Sequence, residues 1–410
     1  MKNNKTFCIL PFVHCQIDTD SSYKPCCLSK TQFPFKKITD QSIEDIHNSD
    51  EMKQFRLDLL NGVERPEICS QCYVSEEHSF HSYRGAMNQQ LEEFIQPSID
   101  AMQSDGTLPD PILRSWDIRY SNLCNLKCRT CGDDYSTTWA AENGTNKELF
   151  AFPPGTDPLE HQYKNVRKIY FAGGEPMIMP EHYATLKKLI ELDAAKDITL
   201  FYNTNMTKLN YNREYLPDYW KQFKTVTLGL SIDHYGDRAN YIRNGAVKWK
   251  KIEENIRTIL SYDNLAIRMH PTVSVYNVAT LPQLHRYLFE NGLLNDVDSI
   301  ELNILYYAPD RSMKTLPKHL REKAQENITN HIEWLTNNHA SDRQLGQWNT
   351  LHEYLNEDHG ERQEQETRNF VWHVQHHDKK RGESFTDTFP EYKEWWEEIT
   401  SNTIPTVQIT

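Results

Sequence analysis

Six strand-like runs recur between positions 116 and 306, and amphipathic helical patterns fill the gaps between them. The runs cover 116–120, 167–172, 198–203, 225–231, 267–275 and 299–306. One intervening stripe is Tyr183, Leu186, Leu189 and Ile190, and another is Ile252, Ile256, Ile259 and Leu260. Strands that alternate with helices at this spacing form parallel βα units, because a parallel partner needs a crossover long enough to hold a helix. Six such units make a partial barrel, open on one side, rather than the closed eight-stranded form.

The regular pattern begins near Leu113. Residues 1–95 are cysteine-rich with short apolar clusters, and 96–112, rich in Pro, Ser and Asp, read as a linker. The barrel is assigned to 113–310. Residues 311–410 form a helical extension, with Leu320, Ala324, Ile328, Ile332 and Leu335 on one helix face. The fold expected is therefore α/β: an open parallel βα barrel of about six strands, a small N-terminal cysteine-rich module and a helical C-terminal region.

All nine cysteines lie at or before position 131, and the last 279 residues contain none. An odd count in a chain read as cytoplasmic argues against a disulfide framework and for metal binding. The net charge of −13, with basic residues scattered, argues against a nucleic-acid partner. No apolar run is long enough for a membrane span, and the stretch from Phe7 to Val13 is too short and too interrupted to be a secretion signal.

Cys124, Cys128 and Cys131 fall directly after the first expected barrel strand, at the strand end where barrel enzymes place their chemistry. Three thiolates can hold three irons of a 4Fe–4S cube and leave the fourth iron free of protein ligands. A structural zinc site completed by Asp133 or Asp134, or plain buried thiols, would satisfy the same spacing. The second strand ends in Gly173-Gly174-Glu175-Pro176. Two glycines let the backbone approach a neighbour closely, and the carboxylate can accept hydrogen bonds from an ammonium.

The three-cysteine loop followed by Gly-Gly-Glu-Pro resembles the radical S-adenosylmethionine (AdoMet) superfamily over about residues 113–310. The resemblance implies a 4Fe–4S cluster on Cys124, Cys128 and Cys131 whose open iron chelates AdoMet. It implies reductive cleavage of AdoMet to a 5′-deoxyadenosyl radical that abstracts a substrate hydrogen. Gly173, Gly174 and Glu175 would hold the methionine ammonium. Ser231 and Asp233, in Ser-Ile-Asp, match a ribose-contacting motif, and Arg243 matches an arginine that pairs with the methionine carboxylate. Asn205, ending the third strand, is a further candidate for the same pocket. Thr130 stands where the family usually carries an aromatic residue.

A second site is expected in the N-terminal module. Cys8, the Cys26-Cys27 pair and the Cys69-Ser-Gln-Cys72 motif resemble twitch or SPASM auxiliary-cluster modules, placed here before the barrel. By that resemblance Cys8, Cys26, Cys69 and Cys72 are the ligands of an auxiliary iron–sulfur cluster. Cys27 is the alternative to Cys26, since neighbours on an extended backbone point oppositely. Cys15 reads as a free thiol, and a four-cysteine zinc site stays open. His373, His376 and His377 read as a solvated helix face.

The superfamily resemblance implies a one-electron reductant such as a flavodoxin or ferredoxin, and a peptide or protein substrate. On the residues alone, a non-catalytic iron–sulfur carrier or scaffold and a zinc-stapled interaction module are the competing classes. Neither needs the Gly173–Pro176, Ser231 and Arg243 set.

Overall fold

The computed structural model describes residues 4–29, 35–77, 82–153, 155–245 and 248–401. Its core is one eight-stranded sheet. In chain order the strands are β1 (His14–Ile17), β2 (Ser22–Lys24), β3 (Lys36–Lys37), β4 (Ser115–Ile118), β5 (Lys168–Phe171) and β6 (Thr199–Thr204). A two-residue hairpin of β7 (Asn210–Tyr211) and β8 (Glu214–Tyr215) stands apart, and β9 (Thr225–Leu230) and β10 (Leu265–Met269) complete the sheet. Its order is β10-β9-β6-β5-β4-β1-β2-β3, parallel from β10 through β1 and antiparallel for β2 and β3.

The two faces of this sheet differ in burial. Cys15, Trp116, Ile169, Leu200, Val226 and Leu265 lie in register across six strands, and so do Ile17, Ile118, Phe171, Tyr202, Leu228 and Ile267. All twelve are buried. On this face lie the helices Pro180–Glu191 and Trp249–Ile259, which bury Tyr183, Leu186 and Leu189, and Ile252, Ile256 and Ile259. A fully buried leucine contributes roughly 2 kcal/mol, so these rows hold the sheet to its helices. The row between them is mixed, running from buried Gln16 and Asp117 through half-buried Tyr170, Phe201 and Thr227 to exposed Ala266.

The open parallel barrel expected from the alternation is present, with changes at both edges. The fifth run breaks at His270-Pro271, where proline has no amide hydrogen for the ladder. It resumes as β11 (Thr272–Val273), which pairs in parallel with β12 (Asn303–Ile304), while Ile300 bridges Met269. At the other edge, β1 of the N-terminal region pairs in parallel with β4. The cysteine-rich segment thus shares the barrel's sheet instead of standing beyond a linker.

The stretch expected as linker opens inside the helix Glu92–Ala101, which tolerates Pro97 while Phe94, Ile95 and Ile99 pack against the core. The C-terminal region is helical, in Lys318–Asn337, Asp342–Tyr354, Gln363–Arg381 and Lys393–Ser401. His373 and His377 are buried, contrary to the solvated face expected. The Gln363–Arg381 helix turns them onto Trp139 and Glu142, partners far away in sequence. Among the described residues, no helix is long and apolar enough to cross a membrane.

Candidate active site and a second cysteine cavity

Parallel pairing brings the C-terminal ends of β4, β5, β6 and β9 to one edge, and each is followed by a residue singled out above. The loop after β4 is held from several sides. Asn122 Nδ2 donates to the carbonyls of Asp133 and Lys147, both at 2.9 Å, and Ser136 Oγ donates to Leu126 O at 2.6 Å. Trp139 Nε1 donates to Cys128 O at 2.6 Å, and Cys131 N closes a turn onto Cys128 O at 3.0 Å.

Cys124, Cys128 and Cys131 sit near enough for each thiolate to disfavour the next. Burial is the larger cause, pushing Cys128 up to about 12 and raising the other two, while Arg243 beside Cys128 opposes it. Three neighbouring thiols of this kind, one buried and two half-buried, give up their protons to a cationic metal centre, so the donor set fits an iron–sulfur cluster.

The Gly-Gly pair works by close approach. Gly174 N donates to Ser121 O at 3.0 Å and Glu175 N to Leu123 O at 2.8 Å, laying the end of β5 on the stem of the cysteine loop. A Cβ on Gly174 would stand 2.2 Å from Leu123 O, and Gly173 has φ +106°. The Glu175 side chain turns inward. Its Oε1 accepts from Met177 N at 3.1 Å and Thr204 Oγ1 at 2.8 Å, and its Oε2 from Asn205 N at 2.7 Å. Burial pushes this carboxyl up to about 7 in spite of those bonds.

A cleft of about 340 Å³ opens beside the loop, lined by Leu126, Asn205, Ser231, Asp233, Arg243 and Trp249 among others. Four of the expected AdoMet residues therefore share one space. Glu175 does not line it; its oxygens accept from Met177 N, Thr204 Oγ1 and Asn205 N at the ends of β5 and β6. Gly173 and Gly174 likewise support the loop from behind.

Asp233 is paired with Arg243. Arg243 Nε lies 2.8 Å from its Oδ2, and its Oδ1 accepts from Arg243 Nη2 at 3.0 Å and from Thr272 N at 2.7 Å. The same guanidinium places Nη1 3.7 Å from Cys128 Sγ, so Arg243 joins the cysteine loop to the cleft. Two contributors escaped the sequence reading. Asn125 Oδ1 accepts from Asn205 Nδ2 at 3.0 Å, and Tyr307, at the far edge, donates from its hydroxyl to Thr130 O at 3.0 Å.

A second cavity, of about 390 Å³, has Cys8, Cys26, Cys69 and Cys72 in its wall with Leu10, Pro11, Leu28, Phe55 and Ile68. Cys69 and Cys72 share a face of the helix Pro66–Glu77 by their three-residue spacing. Burial raises Cys8 to about 12 and Cys69 to about 11. Cys8, Cys69 and Cys72 lie near enough for each thiolate to disfavour the next, and among the described residues neither cysteine set brings three side chains close enough to hold a single metal ion.

Cys15 lies apart, on the apolar face of β1. Cys27 is outside the cavity wall, but its thiol meets that of Cys26 and the Tyr83 hydroxyl. The backbone turns here, with Ser29 N on Cys26 O at 3.1 Å, so the opposed directions of an extended strand do not apply. His14 is bound to Ser115 Oγ at 3.0 Å and faces neither site.

Residues 118–271 match the radical SAM superfamily, and residues 8–73 match SPASM, an iron–sulfur cluster-binding domain. No curated protein matches the chain. Among solved structures it is similar to anSMEcpe with bound AdoMet, at 19% identity and TM-score 0.41, covering 55% of this chain and 62% of that one. It is also similar to Streptococcus suis SuiB bound to precursor peptide SuiA, at 13% identity and TM-score 0.36, covering 80% of this chain and 71% of that one. The chain thus spans about three fifths of the length of anSMEcpe, and likenesses this loose carry no residue role across. The family matches bring their own cofactors: a 4Fe–4S cluster with AdoMet for the first segment, and an auxiliary iron–sulfur cluster for the second. Residues 118–271 thus form a radical SAM domain, and the SPASM segment, residues 8–73, precedes it and supplies one strand of its sheet.

Proposed function

We propose that this enzyme cleaves AdoMet reductively and modifies a peptide or protein substrate by hydrogen abstraction. The observation that carries the reading is Arg243, which touches Cys128 Sγ and is locked by Asp233 in the wall of the adjoining cleft. When bound, the cluster and AdoMet supply a 5′-deoxyadenosyl radical. Cys124, Cys128 and Cys131 hold that cluster. Arg243, oriented by Asp233, offers its guanidinium to the methionine carboxylate, since a planar fork suits a carboxylate. Ser231 and Asn205 provide neutral hydrogen-bonding groups in the same wall. Gly173, Gly174 and Glu175 keep the end of β5 against the loop, so the cleft and the sulfurs stay in register.

Cys8, Cys26, Cys69 and Cys72 hold the auxiliary cluster in this reading, and residues 113–310 form the catalytic barrel. The SPASM match supports a peptide or protein substrate. A cytoplasmic flavodoxin or ferredoxin would deliver the electron.

The test is anaerobic reduction of the iron-loaded protein with AdoMet, scored for 5′-deoxyadenosine. Formation of that product is expected. A fully loaded protein that binds AdoMet yet forms none after reduction overturns the reading.

A further inference from the structure

The C-terminal region, which the proposed chemistry leaves unused, reaches the back of the three-cysteine loop. The helix Gln363–Arg381 ends at Gly382, whose left-handed φ of +64° turns the chain. Asp378 in the last turn and Glu383 just beyond it then meet Arg129, which lies between the second and third cysteines. The Arg129 side chain is 0% exposed. Its Nη2 donates to Asp378 Oδ1 at 2.5 Å and to Glu383 Oε2 at 2.7 Å, and the Tyr241 ring lies 3.7 Å from its guanidinium carbon. A guanidinium this far from water needs such partners, because an unpaired buried charge is strongly unfavourable.

The same carboxylates also grip the segment that carries Arg243. Tyr241 donates from its hydroxyl to Asp378 Oδ1 at 2.8 Å, and Asn244 Nδ2 donates to Glu383 Oε1 at 2.5 Å. Backbone bonds run in parallel with this clamp, from Arg129 N to Ile242 O and from Lys127 N to Asn244 O, both at 2.8 Å. Two acids about 250 residues downstream therefore tie the cysteine loop to the residues flanking Arg243. A separate contact repeats the theme, with Arg381 Nη2 2.7 Å from Glu142 Oε1 and Lys127 on the same carboxylate.

We propose that Asp378 and Glu383 are positioning residues for AdoMet cleavage, acting through Arg129 to fix the three-cysteine loop against Arg243. This rests on the function proposed above. In it, the spacing between Cys128 and Arg243 sets where the methionine carboxylate lies relative to the cluster.

The experiment compares the full-length, anaerobically loaded protein with its Asp378→Asn and Glu383→Gln variants. Three quantities are read: amide hydrogen exchange of residues 124–131, iron per chain, and the change AdoMet causes in the paramagnetic spectrum of the reduced cluster. Each variant is expected to speed exchange in 124–131 and weaken AdoMet binding roughly tenfold, the scale of one lost charge-assisted hydrogen bond. Exchange in 66–77, at the second cavity, stays at the parent rate. Asp378→Glu restores part of the AdoMet response.

Arg321→Met is the control for fold stability. It removes bonds to the Leu316 and Leu355 carbonyls, at 3.1 and 2.8 Å, and lowers the thermal midpoint without moving the spectrum. The proposal is overturned if Asp378→Asn and Glu383→Gln behave like that control, losing thermal stability while exchange in 124–131 and the AdoMet response stay at parent values. If the parent itself shows no AdoMet response, the proposed function fails, and the exchange rates alone decide whether the clamp exists.

Discussion

The two cysteine cavities are built from opposite surroundings. Beside Cys124, Cys128 and Cys131 lies a wall of Asn, Ser, Asp and Arg side chains, with a guanidinium 3.7 Å from a sulfur. Around Cys8, Cys26, Cys69 and Cys72 the wall is aliphatic and aromatic but for Arg84, whose charge acts on Cys8, Cys69 and Cys72. Three sulfurs leave an iron of a cube without a protein ligand, and a polar cleft gives an incoming molecule something to bind. Four sulfurs complete a cube, and an apolar wall offers a ligand little beyond burial. One cavity is suited to chemistry on a bound molecule, and the other to holding a cluster away from water.

The largest effect should come from exchanging the sulfurs themselves. Changing Cys124, Cys128 or Cys131 to Ala should cut 5′-deoxyadenosine formation by about 10³-fold or more, since the catalytic cluster is no longer retained. Cys69→Ala and Cys72→Ala should leave that formation within about tenfold of parent while abolishing the modified product. Iron falls from about eight to about four per chain in either case if both clusters are cubes. A Cys69 variant that keeps its catalytic cluster yet makes no 5′-deoxyadenosine would break the comparison.

Arg243→Lys comes next. An ammonium cannot span Asp233 and Cys128 as the guanidinium does, so AdoMet affinity should drop roughly 10- to 100-fold by calorimetric titration. The spectrum of the auxiliary cluster should not change. A loss of iron from the N-terminal site in this variant would show that the two cavities are not independent.

A smaller effect separates the neighbouring thiols. Cys26→Ser should lose the auxiliary cluster, whereas Cys27→Ser should keep its iron and shift its spectrum slightly, through the contact between the two thiols. Iron analysis of both variants decides it, and the reverse result would exchange the ligand assignment.

The parts of this arrangement that were legible in the sequence are those written in contiguous residues. The strand rows were readable because Trp116, Ile169, Leu200 and Val226 each recur within an apolar strand pattern whose burial follows from the pleat. The cysteine loop and Gly173-Gly174 were readable because motif and strand end coincide. What depended on meetings between distant segments was not. His14 and Ser115 are 101 positions apart, and nothing in a four-residue strand announces a parallel partner so far away. The pairing of Arg129 with Asp378 spans 249 positions, and in sequence Asp378 has the look of an exposed helix residue and Arg129 of an exposed loop residue. The protein partners of Glu175, Thr204 and Asn205, become visible only once β5 and β6 lie side by side.

Those partners make the smallest prediction and the sharpest one for Glu175. Its carboxyl is raised by burial to about 7, so it carries a proton below that pH and is ionised above it. A carboxylate in direct contact with the methionine ammonium would make AdoMet binding require the ionised form. Affinity would then fall by about tenfold for each pH unit below 7, because one unit corresponds to about 1.36 kcal/mol. In the structure, Met177 N, Thr204 Oγ1 and Asn205 N take its oxygens instead. Protonation then removes one acceptor from the end of β6 and reaches the cleft only through Asn205. The expected change in AdoMet affinity between pH 8 and pH 6 is therefore less than about threefold, falling on the acid side. Titration calorimetry across that range measures it directly. A full tenfold loss per unit, flattened by Glu175→Gln, would return Glu175 to the methionine pocket and make the polar wall of that cavity more acidic than the lining residues alone suggest.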